Sequence, residues 1–133
     1  MADETSLYEL GMAHHQEVWG AQYKRPSVYE QLDPDLYRFV IETAHGRVLS
    51  RPGLDLKTRE LLIVATLTTL GRERELRTHV NGALNVGATR EEIVEVVFQM
   101  GIYAGFPAMR MLAGVAAEVF GERGIELHGA GDQ

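Results

Sequence analysis

Helix starts and stops recur along the whole chain and constrain its fold more than any other feature. Asp33 and Pro34 combine a capping side chain with a proline at the first helical position, and Thr89-Arg-Glu-Glu92 has the pattern of a capping box. Gly87 follows a helical pattern at the position of a left-handed cap. No stretch alternates apolar and polar residues as a half-buried strand would. The sequence therefore predicts an all-α fold.

Six segments combine helical periodicity with a start or stop signal, which predicts a single-domain bundle of about six helices. The predicted helices are 7–19, 34–50, 55–70, 72–86, 89–103 and 107–120. The segment 21–32 is predicted to be a loop, and 121–133 a mobile tail, so that the core covers residues 7–120.

The third predicted helix is apolar nearly all round, which predicts a central, buried position. The fifth and sixth also carry strongly apolar faces. One small subunit would bury only part of these apolar faces, so the sequence predicts homo-oligomerisation.

Composition excludes several classes of function. A chain of 133 residues is long enough for one domain with a real core. Its net charge of −6 argues against non-specific binding to nucleic acid or to a membrane. The apolar run Leu61 to Leu70 is too short to span a bilayer, and the first residues lack a signal-peptide pattern, so a cytoplasmic location is expected. Since the sequence has no cysteine, disulfides, thiolate metal sites and cysteine nucleophiles are excluded.

The segment Arg72-Glu-Arg-Glu75-Leu-Arg-Thr-His79 places ionisable groups on a helix face that is otherwise apolar and expected to be buried. At about 100° of rotation per residue, Arg72, Glu75 and His79 fall on the same side as Leu76 and Val80. Glu75 and His79 are four residues apart and therefore neighbours on the helix surface. Charged groups rarely occupy a buried face without a partner or a function.

Two interpretations of this cluster stay open at this point. In one, the Glu75 carboxylate holds His79 in a single tautomer for general acid–base work, while Arg72 neutralises a substrate carboxylate. In the other, Glu75 and His79 form a structural pair, and Arg72 only forms a salt bridge with Glu75. Glu60, near the start of the most apolar helix, either favours the helix dipole or, if buried, needs a partner such as His79 or Arg72.

Other polar residues are weaker candidates. His45 and Arg51 lie at the end of the second predicted helix and in the following turn, where an arginine can bind a carboxylate or simply be solvated. Tyr103 either donates to a substrate oxygen or is a core tyrosine with a satisfied hydroxyl. His14 and His15 superficially resemble metal ligands, but adjacent helical residues point apart and no second cluster completes the set, so no metal site is expected.

Four segments in order resemble the carboxymuconolactone decarboxylase family. The likeness extends over about residues 8–120, and the series is more specific than any one segment. The segments are Ser50-Arg-Pro-Gly-Leu-Asp-Leu-Lys-Thr-Arg-Glu60, Glu75-Leu-Arg-Thr-His79, Gly87-Ala-Thr-Arg-Glu-Glu-Ile-Val-Glu95 and Tyr103-Ala-Gly-Phe-Pro-Ala108.

The same superfamily contains alkyl hydroperoxidase D, whose site has a glutamate, two redox cysteines and a histidine. With His79 and Gly87 as anchors, the two cysteine positions fall on Arg72 and Glu75, and the upstream glutamate falls on Glu60. Dithiol peroxidase chemistry is therefore excluded for this chain, and the decarboxylase branch matches it better.

The resemblance implies an enzyme of protocatechuate catabolism that converts 4-carboxymuconolactone into 3-oxoadipate enol-lactone and carbon dioxide, with no metal or organic cofactor. It also implies a helical subunit that assembles, often as a hexamer or trimer. On this hypothesis His79 delivers the proton, oriented by Glu75, and Glu60 tunes the pair. Arg51 or Arg72 anchors the substrate carboxylate, and His45 and Tyr103 line the pocket.

One departure from the family pattern is Ala44-His45-Gly46-Arg47, where decarboxylases tend to have an aromatic residue. A histidine or arginine in the pocket wall would change its polarity and hence the substrate. Two alternatives follow. The chain is a family member that acts as a lactone hydrolase, isomerase or tailoring enzyme, or it is a non-catalytic helical oligomer that binds a small acid or a partner protein.

Overall fold

A computed structural model describes residues 5–20 and 28–129 of the chain. These residues form seven α-helices and one π-helix and contain no β-strand, so the predicted all-α class is confirmed. None of the described helices is long and apolar enough to cross a membrane. The elements are α1 (Leu7–Trp19), α2 (Val28–Leu32), α3 (Pro34–Val40), the π-helix (Ile41–Leu49), α4 (Leu56–Leu70), α5 (Glu73–Asn85), α6 (Arg90–Tyr103) and α7 (Phe106–Glu122).

The start and stop signals in the sequence act as predicted. The Asp33 side chain accepts a hydrogen bond of 2.8 Å from a backbone N–H two residues on, and Pro34 begins α3. Thr89 and Glu92 form the predicted capping box, in which each side chain accepts from the other's backbone N–H. The bond from the Thr89 backbone is the main cause that lowers the pKa of the Glu92 carboxyl below its ordinary value. Gly87 ends the α5 region with a φ of 104°, which favours glycine.

Several boundaries differ from the prediction. The helix α2 occupies the end of the predicted loop 21–32, whose residues 21–27 lie outside the described part of the chain. The second predicted helix divides into α3 and the π-helix. The last helix ends later than predicted, because α7 continues to Glu122 and the Ile125 N–H donates to the Phe120 carbonyl at 2.8 Å; the mobility of the tail stays a prediction. Ile125 also packs against the core.

The chain divides into two compact units, residues 1–56 and 57–133, and the predicted single domain stays a prediction. In the second unit, α7 packs against both α5 and α6. Its two core clusters are Val64, Leu76, Val80, Met100, Leu112, Val115 and Val119, and Ala83, Ala88, Ile93, Ala116 and Phe120. The helix α4 contributes to this core, but Leu62 and Leu70 are 52% and 60% exposed. The predicted central, buried position therefore holds for only one face of α4, which carries Glu60, Val64 and Thr68.

In the first unit, α1 packs closely against the π-helix. Two glycines allow this approach. A Cβ at Gly11 would lie 2.2 Å from the Ile41 carbonyl oxygen, and a Cβ at Gly46 would lie 2.3 Å from the Leu7 carbonyl oxygen. Both neighbours are backbone atoms, which cannot turn aside as a side chain can, so only glycine fits at these positions.

We expect Gly46→Ala to destabilise the protein by about 1 to 3 kcal/mol, because the added methyl group overlaps backbone of α1. Gly114→Ala is the matched control, since a Cβ at this helical position meets no atom within 4 Å and should be neutral or stabilise by about 0.5 to 1 kcal/mol. Urea unfolding followed by circular dichroism measures both. Equal stability of Gly46→Ala and the wild type would contradict the close packing of α1.

Candidate active site

A buried carboxylate meets a histidine where α4 and α5 come together. Glu60 on α4 is 1% exposed, and its Oε2 lies 2.7 Å from Nδ1 of His79 on α5. The His79 side chain is 19% exposed. The pair therefore joins a fully buried anion to a ring that still reaches the protein surface, which suits proton transfer to a bound molecule.

Helical spacing explains how the two side chains meet. Glu60 is followed at intervals of four residues by Val64 and Thr68, and all three are buried on one face of α4. The Thr68 hydroxyl donates to the Val64 carbonyl at 2.7 Å and so satisfies itself within the helix. On α5, His79 lies beside Val80, which is fully buried in the larger core cluster. His79 thus stands at the edge of the α5 core face, and the Glu60 carboxylate is directed at it.

The hydrogen bond from His79 to Glu60 defines which ring nitrogen exchanges its proton. An ionised carboxylate only accepts hydrogen bonds, so Nδ1 of His79 keeps its proton and donates it. The neutral ring is then the Nδ1–H tautomer, and Nε2 is the nitrogen that gains or loses a proton. Without this donor the buried carboxylate would be very costly, so the pair also stabilises the fold.

Arg72 and Glu75 are placed differently from the prediction. Both are exposed, so the expectation that they share a buried face with His79 is wrong. Arg72 is the N-cap of α5, with φ −94° and ψ 76°, and helical spacing does not apply to a residue outside the helical region. Glu75 lies in the first turn of α5, at the end of the helix. The carboxylate that accepts from Nδ1 of His79 is Glu60, and an orienting role for Glu75 stays a prediction.

The remaining predicted substrate-binding residues are divided between the two units. His45 lies half-buried in the π-helix, and Arg51 is exposed just after it, both within residues 1–56. Tyr103 ends α6 in the second unit and is 82% exposed, so the alternative of a core tyrosine is wrong. Its hydroxyl is accessible to a ligand or to another protein surface.

A contact between two histidines was not predicted from the sequence. Nδ1 of His14 lies 3.0 Å from Nδ1 of His45, across 31 residues of chain. Spacing along a helix relates neighbours on that helix only, so it could not reveal a contact between α1 and the π-helix; the adjacent histidines at 14 and 15 were the only signal. Within the described residues, no group of three or more His, Asp or Glu side chains is arranged to hold a metal ion.

Comparisons with known proteins agree with one another. The sequence pattern of the carboxymuconolactone decarboxylase family matches residues 34–118. A 4-carboxymuconolactone decarboxylase from Acinetobacter baylyi is 38% identical over 127 residues, covering 94% of both chains. A 15.0 kDa protein from Paracoccus denitrificans is 39% identical over 99 residues, covering 73% of this chain and 74% of the relative. A nitrosuccinic acid decarboxylase from Metarhizium robertsii is 32% identical over 107 residues, covering 77% of this chain and 73% of the relative.

Proposed function

This chain belongs to the carboxymuconolactone decarboxylase family, and we propose that it is a carboxy-lyase for 4-carboxymuconolactone or a similar small lactone acid. The observation that carries the proposal is the buried Glu60–His79 pair, which provides an oriented proton donor. The similarity to the Acinetobacter baylyi decarboxylase over 94% of both chains supports the substrate class. The proposal includes a reaction without metal or organic cofactor, in the cytoplasm, within the degradation of aromatic compounds.

The proposed reaction needs one proton and a place for negative charge. In the lactone acid, the leaving carboxylate is attached to a carbon that is conjugated through the ring alkene to the lactone carbonyl. When the carbon–carbon bond breaks, carbon dioxide leaves and the electron pair spreads over a dienolate onto the carbonyl oxygen. The proton on Nε2 of His79 then forms the new carbon–hydrogen bond. His79 is left as the Nδ1–H tautomer, still hydrogen-bonded to Glu60.

The proposed roles of the other residues follow from their chemistry. Glu60 orients His79. Glu75 lies four residues before His79 on α5 and contributes negative charge there. Arg72 or Arg51 binds the substrate carboxylate, since a guanidinium can donate two parallel hydrogen bonds to it. His45 and Tyr103 are the further substrate-binding candidates, and the sequence supports their roles through the family resemblance alone.

A second candidate is decarboxylation of a different enolisable acid. The relative from Metarhizium robertsii is named a nitrosuccinic acid decarboxylase and is 32% identical to this chain. Relatives of this chain are thus named as decarboxylases of more than one acid. The polar segment Ala44-His45-Gly46-Arg47 favours a substrate with a polarity different from that of the lactone.

We expect the purified protein to release carbon dioxide from 4-carboxymuconolactone, and His79→Ala to lower turnover about a hundredfold or more because the proton donor is removed. Loss of lactone absorbance and carbon dioxide release measure the reaction, and circular dichroism checks the fold. His128→Ala, which changes an exposed histidine, is the matched control and should keep wild-type turnover.

Two further variants in the same assay separate the carboxylates. Glu60→Gln keeps the side-chain size and removes the charge beside Nδ1, so it should lower kcat about tenfold or more. Glu75→Gln should have a smaller effect. Wild-type turnover by a folded His79→Ala variant contradicts the role of His79. A wild-type protein that leaves the lactone intact but decarboxylates another small acid supports the second candidate.

We expect Arg72→Ala or Arg51→Ala to raise KM about tenfold or more with a smaller change in kcat, because a bound carboxylate loses its bidentate partner. Arg74→Ala, at another exposed arginine of α5, is the control and should leave KM unchanged. An unchanged KM in both the Arg72 and the Arg51 variants would show that a different cation anchors the substrate.

We also propose that the subunit forms a homo-oligomer, a trimer or hexamer, through the α6 surface, defined as Phe98, Ile102, Tyr103 and Phe106. These side chains are 66%, 79%, 82% and 68% exposed. The first three recur along one side of α6, beside a shallow groove that also includes Glu95 and Gln99. Soluble monomers rarely expose a continuous aromatic and aliphatic patch of this kind. A second copy of the chain would bury it.

We expect Ile102→Asp to lower the molar mass measured by light scattering, because a carboxylate in an apolar interface has no partner. Leu32→Asp is the matched control, since Leu32 is 80% exposed and lies outside the α6 surface. Its mass should equal that of the wild type. A monomeric wild-type protein at micromolar concentration would contradict the proposed assembly.

A further inference from the structure

The outer face of α6 carries two neighbouring ridges of side chains, since residues four apart in a helix line up in a row. Phe98 and Ile102 form an apolar ridge and are 66% and 79% exposed. Glu95, Gln99 and Tyr103 form a polar ridge beside it, and all three are exposed. The shallow groove on this face is lined by members of both ridges. The same face of α6 therefore carries a protruding apolar row and a groove.

Phe106, the first residue of α7, widens the apolar part of this face. A Cβ at Gly101 would lie 3.6 Å from Cδ1 of Phe106, so the phenyl ring lies against α6. The ring is nevertheless 68% exposed. Together with Phe98, Ile102 and Tyr103 it gives an exposed apolar patch, and patches of this kind mark contacts with another protein surface.

A second copy of the chain fits this face because the face is complementary to itself. Helices pack most often with the ridges of one in the grooves of the other. When two copies meet through the same surface, each contact occurs twice. The Phe98–Ile102 ridge of one copy then enters the groove of the other, while its own groove receives the ridge of that other copy. The polar ridges lie at the edge of the contact, where protein interfaces are polar and accessible to solvent.

The charges of α6 favour an antiparallel arrangement of the two copies. Glu91 and Glu95 are exposed in the first two turns of α6, whereas residues 98–103 carry no charge. In a parallel pair, the two acidic turns would lie side by side at an interaxial distance of about 8 to 10 Å and repel each other. In an antiparallel pair centred between Phe98 and Ile102, the two Glu95 positions are about 15 Å apart along the helix axis. This separation exceeds the Debye length of about 8 Å in physiological salt.

We propose that two copies of the chain pair antiparallel through the α6 surface, about a two-fold axis that places Phe98 of each copy against Ile102 of the other. This inference rests on the proposed homo-oligomer and names the contact that builds it. A two-fold contact joins chains in pairs. Of the two assemblies proposed above, it therefore selects the hexamer, in which three such pairs are joined through a further contact.

The competing arrangement is a head-to-tail contact, in which the α6 surface of one copy meets a different apolar surface of the next. The outer side of α4 is such a surface, because Leu62 and Leu70 are 52% and 60% exposed. A head-to-tail contact closes into a ring such as a trimer. The two arrangements differ in what Ile102 meets. In the two-fold pair it meets Phe98 of the second copy, and in the ring it meets a leucine of α4.

Paired charges distinguish the two arrangements by light scattering, with circular dichroism as the check on folding. Phe98→Lys and Ile102→Asp each bring one charge per copy into the apolar contact, so each variant alone should lose the pairing. In an equal mixture, the introduced ammonium of one chain meets the introduced carboxylate of the other, and the unchanged Ile102 and Phe98 meet as in the wild type. The mixture should therefore have about twice the mass of either variant alone. A mixture whose mass stays at that of the separate variants overturns the two-fold contact.

Cysteine cross-linking tests the same contact without introducing a charge, and each product is unambiguous because the sequence has no cysteine of its own. A disulfide needs Cα atoms about 4.4 to 6.8 Å apart, which only facing positions reach. A mixture of Phe98→Cys and Ile102→Cys should yield a covalent dimer on oxidation, and faster than either variant alone. Leu62→Cys mixed with Ile102→Cys is the matched control and should stay unlinked. Linkage in the control mixture only, or in neither mixture, overturns the inference.

The outcomes also separate this inference from the proposal on which it rests. If the wild type is oligomeric and Ile102→Asp lowers its mass, the α6 surface forms an interface. Failure of both the mixed-charge and the mixed-cysteine pairs then overturns the two-fold arrangement alone. A monomeric wild type overturns the assembly and the inference together, whereas the decarboxylase proposal is tested by turnover and not by mass.

Discussion

The pairing of Glu60 with His79 is the interaction on which the arrangement of α4 and α5 depends. A carboxylate that is 1% exposed would destabilise the fold by several kcal/mol without a donor, and the donor that the structure provides is the His79 ring at 2.7 Å. The apolar neighbours Val64 and Val80 belong to the same core cluster. The packing of α4 and α5 therefore sets the distance between the Glu60 and His79 side chains. Their hydrogen bond in turn makes the charge of the Glu60 carboxylate tolerable within the core.

The same pair shows how a core element can hold the side chain to which we assign the proton transfer. Glu60 is closed to solvent, so its position is set by the core, whereas the His79 side chain is 19% exposed. The core fixes the position of the Glu60 carboxylate, whereas the partly exposed His79 ring can be reached by a small acid. Neither an exposed pair nor a fully buried pair combines these properties, since the first is mobile and the second has no access to a substrate.

The sequence predicted the helices where a local rule applies and was less successful where the position of a residue depends on tertiary contacts. The Thr89 capping box and the α1 boundaries depend on neighbours within a few residues, and the structure has them as predicted. The π-helix depends on the close approach of α1 at Gly46, which no local pattern records. Glu60 was recognised as a carboxylate that needs a partner, but its choice of His79 depends on how α4 meets α5. Helical spacing suggested burial for Arg72 and failed, because a cap residue does not follow it.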